Sequence, residues 1–215
     1  MIVVITGAPG AGKGTQGDLL VDRLGFRKVS TGDALRRQIK LGTPLGIKVD
    51  AVMRAGQLVS DELLQDILSA ELGSNPDERI LLDGYPRNIS QAESLDQSRP
   101  GGHRVACVVH LDVDQQELVR RLSGRRLCGS CERTIHIGSA ESGSKMLCES
   151  CGGSLVQRPD DHPDKVKVRL AVYEEVTQPI LGYYRKHGLY HRVNGVGTEE
   201  EIYEQMAALL KPLAK

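Results

Sequence analysis

The chain has 215 residues, with 28 Lys and Arg against 28 Asp and Glu, 40% hydrophobic residues, five cysteines, six tyrosines, one phenylalanine and no tryptophan. Such a composition belongs to a soluble globular protein with one domain, or one core carrying smaller insertions. Zero net charge excludes a surface built throughout for nucleic acid, sparse aromatics exclude broad base-stacking platforms, and no run of about 18 apolar residues is available to span a membrane.

The chain opens on MIVVITGAPG, without a basic n-region or a cleavage signature, so no signal peptide is expected and the compartment is read as cytoplasmic. Short β-rich runs then alternate with helical patterns, which points to an α/β fold around a parallel sheet. Strands are predicted at 2–6, 26–29, 80–83, 105–111 and 189–193; their nearly continuous apolar character suits strands covered on both faces. Ser60 before Asp61 and Glu62 opens a helix with Leu63, Leu64, Ile67, Leu68 and Leu72 on one face. Three capping-box patterns, Ser90 with Glu93, Asp114 with Glu117 and Thr198 with Glu201, predict further helix starts. A long helical stretch covers 164–186, and Pro179 inside it is expected to kink or divide it. Two stretches break this rhythm and read as insertions. Residues 30–59 are helical and polar with scattered glycine, and 124–161 lack long apolar periodicity and hold four of the five cysteines. The Gly/Ser-rich patch at 138–145 is expected to be a mobile tip.

The first strand runs straight into Gly7-Ala8-Pro9-Gly10-Ala11-Gly12-Lys13-Gly14-Thr15, followed by a helical pattern to Leu24. Glycines let backbone N–H groups turn inward, the helix N-terminus favours negative charge, and Lys13 adds a full positive charge. A nucleoside triphosphate is the expected ligand. The string departs from the simple P-loop, because Gly14 follows the lysine and the hydroxyl arrives one position later at Thr15.

Cys128-x2-Cys131 and Cys148-x2-Cys151 stand sixteen residues apart, the spacing of a four-cysteine zinc ribbon. Four soft thiolates suit Zn²⁺ better than Mg²⁺ or Ca²⁺, and a closed tetrahedron implies a structural role. The segment has few large apolar residues, and structural zinc supplies on the order of 10 kcal/mol to small domains of this kind. His136 lies close by but is not needed as a fifth ligand, and Cys107, alone on an apolar strand, reads as a core thiol.

GAPGAGKGTQ at 7–16, STGDALR at 30–36, LLDGYPR at 81–87 with Gln91, GRR at 124–126 and RPDD at 158–161 resemble the bacterial adenylate kinases in order and spacing, over nearly the whole chain. The resemblance implies a P-loop nucleoside-monophosphate kinase fold: a five-stranded parallel sheet flanked by helices, a helical nucleotide-binding insertion at 30–59, and a zinc-binding lid at 124–161. The core would comprise 1–29, 60–123 and 162–215. It also implies reversible transfer of the terminal phosphoryl group of ATP to AMP, giving two ADP, by a monomer that binds neither nucleic acid nor membrane.

By the same resemblance, ATP would be held by Gly10, Ala11, Gly12, Lys13, Gly14, Thr15, Arg121, Arg125, Thr134, Ile135 and Gly197. AMP would be held by Thr31, Arg36, Gln57, Leu58, Val59, Gly84, Tyr85, Pro86, Arg87, Gln91, Arg158 and Arg169. Lys13, Arg87, Arg125, Arg158 and Arg169 would be catalytic, spreading positive charge over the transferring phosphoryl group. Asp83, ending an apolar strand, is placed to hold the Mg²⁺ of ATP through water. Three departures stand out: Gln57 replaces a frequent Lys, Tyr85 a frequent Phe, and Ile135 a common Tyr. Asp160 and Asp161 read as braces for the arginines or as solvated charge, while Arg120 and Arg126 read as surface charges. The attacking AMP phosphate oxygen is already ionised, so catalysis needs alignment and charge more than a general base. A UMP or CMP kinase and a zinc-ribbon nucleic-acid module with a nucleotide switch remain the rival readings.

Overall fold

All five residues of β1 (Ile2–Thr6) are buried, and alternate side chains leave it in opposite directions. Ile2 and Val4 enter one core layer with Ile80, Leu82, Leu64, Leu68 and Leu72, while Val3 and Ile5 enter a second with Leu20, Phe26, Leu81 and Val109. By area, each fully buried Ile or Leu contributes roughly 2 kcal/mol. The computed structural model describes residues 1–72, 75, 78–98, 102–137 and 147–214, so the predicted Gly/Ser tip lies outside the described residues. Beside β1 run β2 (Arg27–Ser30), β3 (Ile80–Asp83), β4 (Val105–Asp112) and β8 (Tyr190–Asn194), in the order β2-β3-β1-β4-β8 and all parallel. All five predicted strands are present. Two begin and end one residue later than expected: Phe26 packs into the core beside its ladder, and Leu189 joins only through its carbonyl, which accepts the Val108 N–H at 2.8 Å.

Local chemistry sets most helix starts. α1 (Lys13–Leu24) begins at Gly12 and stops at Gly25, both left-handed. Ser30 caps α2 (Thr31–Lys40) through the Asp33 N–H, and Thr43 caps α3 (Pro44–Arg54) through the Gly46 N–H. These two helices pack so closely that a Cβ at Gly46 would lie 2.1 Å from the Gln38 carbonyl oxygen. α4 (Asp61–Leu72) buries Leu64, Leu68 and Leu72, as its predicted face requires. α5 (Ile89–Ser98) corrects the sequence reading: Asn88, not Ser90, accepts the Gln91 N–H at 2.8 Å, so Ser90 lies inside the helix. Asp114 caps α6 (Gln115–Gly124), but only half of its box forms, because the Glu117 carboxylate is taken by Arg120 and Arg121. Thr198 and Glu201 complete a full capping box on α9 (Glu199–Leu210).

The predicted helix at 164–186 is divided. α7 (Pro163–Val172) passes into a π-turn over Tyr173–Thr177, closed by the Gln178 N–H on the Tyr173 carbonyl at 2.8 Å, and α8 (Pro179–Lys186) follows. Pro179 has no N–H for a regular ladder and its ring crowds the carbonyl four residues back; the wider turn relieves both problems. A small antiparallel sheet holds β5 (Arg125–Cys128) between β6 (Thr134–His136) and β7 (Leu155–Val156). No helix among the described residues is long and apolar enough to cross a membrane.

Candidate functional site

The carboxyl ends of β1, β2 and β3 open into a cleft of about 2010 Å³. Open parallel sheets place ligands at this edge, where connections leave neighbouring strands in opposite directions. β1 delivers the glycine loop to the cleft floor. At Gly10, φ is +89° and a Cβ would meet the Leu122 side chain at 2.9 Å, so conformation and packing both require glycine. Lys13 is folded back over the loop, donating to the Gly7 and Ala8 carbonyls at 2.7 and 3.0 Å. Burial pushes its ammonium down to about 8; Asp83 opposes that shift, and Arg87, Arg169 and Arg125 reinforce it.

The arginines converge on the same space. Arg87 donates through Nε to the Gly84 carbonyl at 2.6 Å, and burial, opposed by Asp83, brings its guanidinium down to about 10. Arg158 is likewise brought down to about 10 by burial and by Arg36 and Arg125, and its buried Nε has no partner among the described residues. Arg36 pairs with Asp33 along α2. Arg121 donates to Glu117 at 2.8 Å and to the Gly195 carbonyl at 2.9 Å, which fixes its guanidinium at the cleft. Glu117 is held down to about 2 by its bonds from Arg120 and Arg121.

Asp161, fully buried, organises the centre. It takes two bonds from Arg125, at 2.7 and 2.5 Å, and one from Arg169 at 2.7 Å, while Asp160 adds an ion pair to Arg169 at 3.0 Å. Of the two readings of this acidic pair, bracing is the one present. Asp161→Asn is expected to destabilise the fold by about 3 kcal/mol, because two partly buried guanidinia lose their shared anion. Chemical denaturation would measure this; an unchanged midpoint would show that the arginines hold their places unaided.

Most of the predicted nucleotide contacts line the cleft: Gly12 to Thr15, Gln57 to Val59, Gly84, Pro86, Thr134, Ile135 and Gly197 among them. Ala11, Thr31, Tyr85 and Gln91 are buried behind its walls. Thr31 donates to the Gly84 carbonyl at 3.0 Å. Gln91 accepts from the Arg87 N–H at 2.7 Å and donates to Asp61 at 2.6 Å, leaving one N–H and one lone pair of its amide outside these two bonds. The cleft-lining Asp83 offers a hard carboxylate beside the loop, the donor type Mg²⁺ takes. Arg120 is exposed as expected, though paired with Glu117.

The adenylate kinase family profile matches residues 5–189. The chain belongs to the adenylate kinase family. It is 44% identical to the adenylate kinase of Methanocella arvoryzae, with both chains covered in full. Against that of Citrifermentans bemidjiense it is 41% identical over 98% of this chain and all of the other, and against that of Novosphingobium aromaticivorans 41% over 98% and 99%.

This adenylate kinase family member also carries a four-sulfur cluster. The Sγ atoms of Cys128, Cys131, Cys148 and Cys151 all lie within 4.8 Å of one another, with 3.4 Å between Cys128 and Cys151 and 3.6 Å between Cys131 and Cys148. Tetrahedral zinc with Zn–S bonds near 2.3 Å needs sulfur separations of ~3.8 Å, so the donor set fits it. The Cys131 and Ser130 N–H groups, each 3.4 Å from Cys128 Sγ, draw that thiol's pKa down, while, against the opposing Gly153 N–H, neighbouring sulfurs push Cys151 up. His136 is outside the cluster, and burial raises the Cys107 thiol to about 11, as suits a packed residue. The two knuckles are alike: each ends in a left-handed residue, Glu132 in the first and Gly152 in the second. Glu132 reaches Lys40 at the end of α2, so the small sheet touches the 30–59 insertion, while Arg158 reaches Thr134 at 3.4 Å within its own insertion.

Sequence reading missed Glu117 as the partner of Arg121, although three- and four-residue spacing on a helix was a usable signal. No local signal marks Asp61 behind Gln91 or Glu132 against Lys40, since those partners lie 30 and 92 residues away.

Proposed function

We propose that this chain is an ATP:AMP phosphotransferase, which moves the terminal phosphoryl group of ATP to AMP and forms two ADP, reversibly. One observation carries the reading. Lys13, Arg87, Arg158 and Arg169 are desolvated cations whose pKa values are all lowered first by burial, gathered around one cleft beside a phosphate loop. The triphosphate of ATP and the phosphate of AMP are the anions such a cluster suits.

Gly10 to Thr15 hold the ATP phosphates through backbone N–H groups, and Lys13 turns from its carbonyls to the phosphate oxygens. Arg121, Thr134, Ile135 and Gly197 border the donor adenosine. Thr31, Arg36, Gln57, Leu58, Val59, Gly84, Tyr85, Pro86 and Gln91 form or back the AMP side, with Arg87 clamping its phosphate. An AMP phosphate oxygen attacks the terminal phosphorus in line, the bond to the bridging oxygen breaks, and that oxygen leaves on ADP with the electron pair. No proton must be removed, so no general base is needed. Arg125, Arg158 and Arg169 meet the charge on the equatorial oxygens. Asp83 would hold, through water, the Mg²⁺ that accompanies ATP, and that ion would supply charge neutralisation at the phosphates.

Residues 30–59 and 124–161 close over the core formed by 1–29, 60–123 and 162–215, excluding water that would otherwise hydrolyse ATP. The protein works as a cytoplasmic monomer with structural zinc. A coupled assay across AMP, GMP, CMP and UMP tests the substrate; AMP is expected to be the best acceptor, and a poor rate with AMP overturns the reading. Because contacts such as Lys40–Glu132 must break for products to leave, opening is expected to limit turnover. Rapid-quench transfer should then outpace steady-state kcat, and equal rates would place the limit on chemistry.

A further inference from the structure

His110 lies beside the phosphate loop, 8% exposed, and none of the roles above uses it. It sits on β4 opposite Thr6, the last residue of β1 before the loop. Its Nε2 lies 3.1 Å from the Tyr173 hydroxyl and its Nδ1 3.2 Å from the Tyr190 hydroxyl. Burial, opposed by Asp112 and reinforced by Lys13, Arg192 and Arg185, keeps its pKa below the ordinary histidine value. The neutral ring donates through one nitrogen and accepts through the other, and two tyrosine hydroxyls can satisfy both.

This tie is made where the chain crosses the sheet. α7 sends Val166 and Leu170, with Tyr173 beside them, into the core layer shared with α1 and α9. α8 sends Ile180, Leu181 and Tyr184 into the opposite layer. The segment therefore passes from one face of the sheet to the other, and the π-turn that begins at Tyr173 is the passage. Arg169 stands four residues before Tyr173, a spacing that puts both on one helix face, and both line the cleft. Asp160 and Asp161 hold the Arg169 guanidinium directly. The helix beneath it is tied to the central sheet through the Tyr173 hydroxyl.

We propose that His110 is a positioning residue which, through the Tyr173 hydroxyl, sets the helix carrying Arg169 at its working distance from the phosphoryl-transfer site. The proposal rests on the phosphotransferase reading of Arg169. Small displacements of an aligned catalytic group cost rate steeply, whereas substrate binding is shared among many other contacts.

The test is single-turnover phosphoryl transfer by the full-length, zinc-loaded protein, with KM values for ATP and AMP and a circular dichroism check that each variant is folded. Tyr173→Phe, which deletes only the hydroxyl, and His110→Leu are each expected to slow transfer about tenfold with little change in either KM. His110→Gln, which keeps a polar atom near the Nε2 position, should recover most of the rate. Tyr190→Phe, on the other side of the ring, should stay within about twofold of the parent. In an Arg169→Lys background, Tyr173→Phe should add no further loss, because both act through one guanidinium. Full-rate Tyr173→Phe protein, or losses that multiply with Arg169→Lys, would overturn the proposal; so would a Gln variant as slow as the Leu variant. Should His110→Leu fail to fold, Tyr173→Phe and its combination with Arg169→Lys decide the matter. Absence of AMP-dependent transfer in the parent protein would instead sink the phosphotransferase reading.

Discussion

Lys13→Met should lower kcat/KM for ATP by about 10³-fold, with folding intact, because it removes a charge that would meet the transferring phosphoryl group once the substrates have displaced water from the cleft. Methionine keeps the stem length and most of the apolar volume. The deleted bonds, to the Gly7 and Ala8 carbonyls, leave two acceptors at the edge of an open cleft, where water can replace the donor. The unsubstituted enzyme gives the same residue a second signature. Lys13 has been brought down to about 8 by burial, so its charge is present in the free enzyme below that pH and is lost above it. ATP requires the charged form, so kcat/KM for ATP is expected to fall as pH rises through about 8. Bound phosphates restore the proton, and the corresponding limb in kcat should lie at higher pH. Steady-state profiles of both parameters test the pair. A mildly impaired methionine variant, or a profile flat through this range, would show that the backbone amides of the loop carry the phosphate without the lysine.

Removing zinc should unfold the small sheet while leaving the five-stranded core in place. β5, β6 and β7 together supply nine residues, and apart from the two buried cysteines, Cys128 and Cys148, few side chains there are fully enclosed. Such a unit cannot offset its own ordering entropy, and metal binding supplies the difference. Because β5 begins with Arg125 and the same sheet carries Thr134 and Ile135, activity should fall to a small residue as the metal leaves. Chelation followed by elemental analysis, melting and assay would show this, and Cys128→Ser together with Cys148→Ser should reproduce it. Unchanged melting and rate after complete removal would refute a structural role for the metal.

How much could be read in advance depended on how far apart the cooperating residues lie. The glycine loop, the Thr198–Glu201 cap and the paired cysteine knuckles are short patterns whose geometry follows from spacing within one turn or loop. They were legible, and the structure shows them where the residues predict. Ser90 shows the limit of such patterns, since Asn88 two positions earlier offers an equally good acceptor and the chain uses it. Pro179 announced a break, but not that a π-turn would carry the chain across the sheet at that point.

The convergence of charge belongs to another level. Neutral composition concealed a group of cations because Lys13, Arg87, Arg125, Arg158 and Arg169 come from different elements and meet only when the fold gathers the glycine loop, the turn after β3, the small sheet and α7 around one cleft. Local sequence decided which residues could bind phosphate or metal, since donor type and spacing are properties of a few consecutive residues. Tertiary structure alone decided which carboxylate Arg125 and Arg169 share. Asp161 joins Arg125, 36 residues before it, to Arg169, eight residues after it, and burial makes that shared anion matter. Desolvation is a property of everything packed around a group, and no short stretch of chain encodes it.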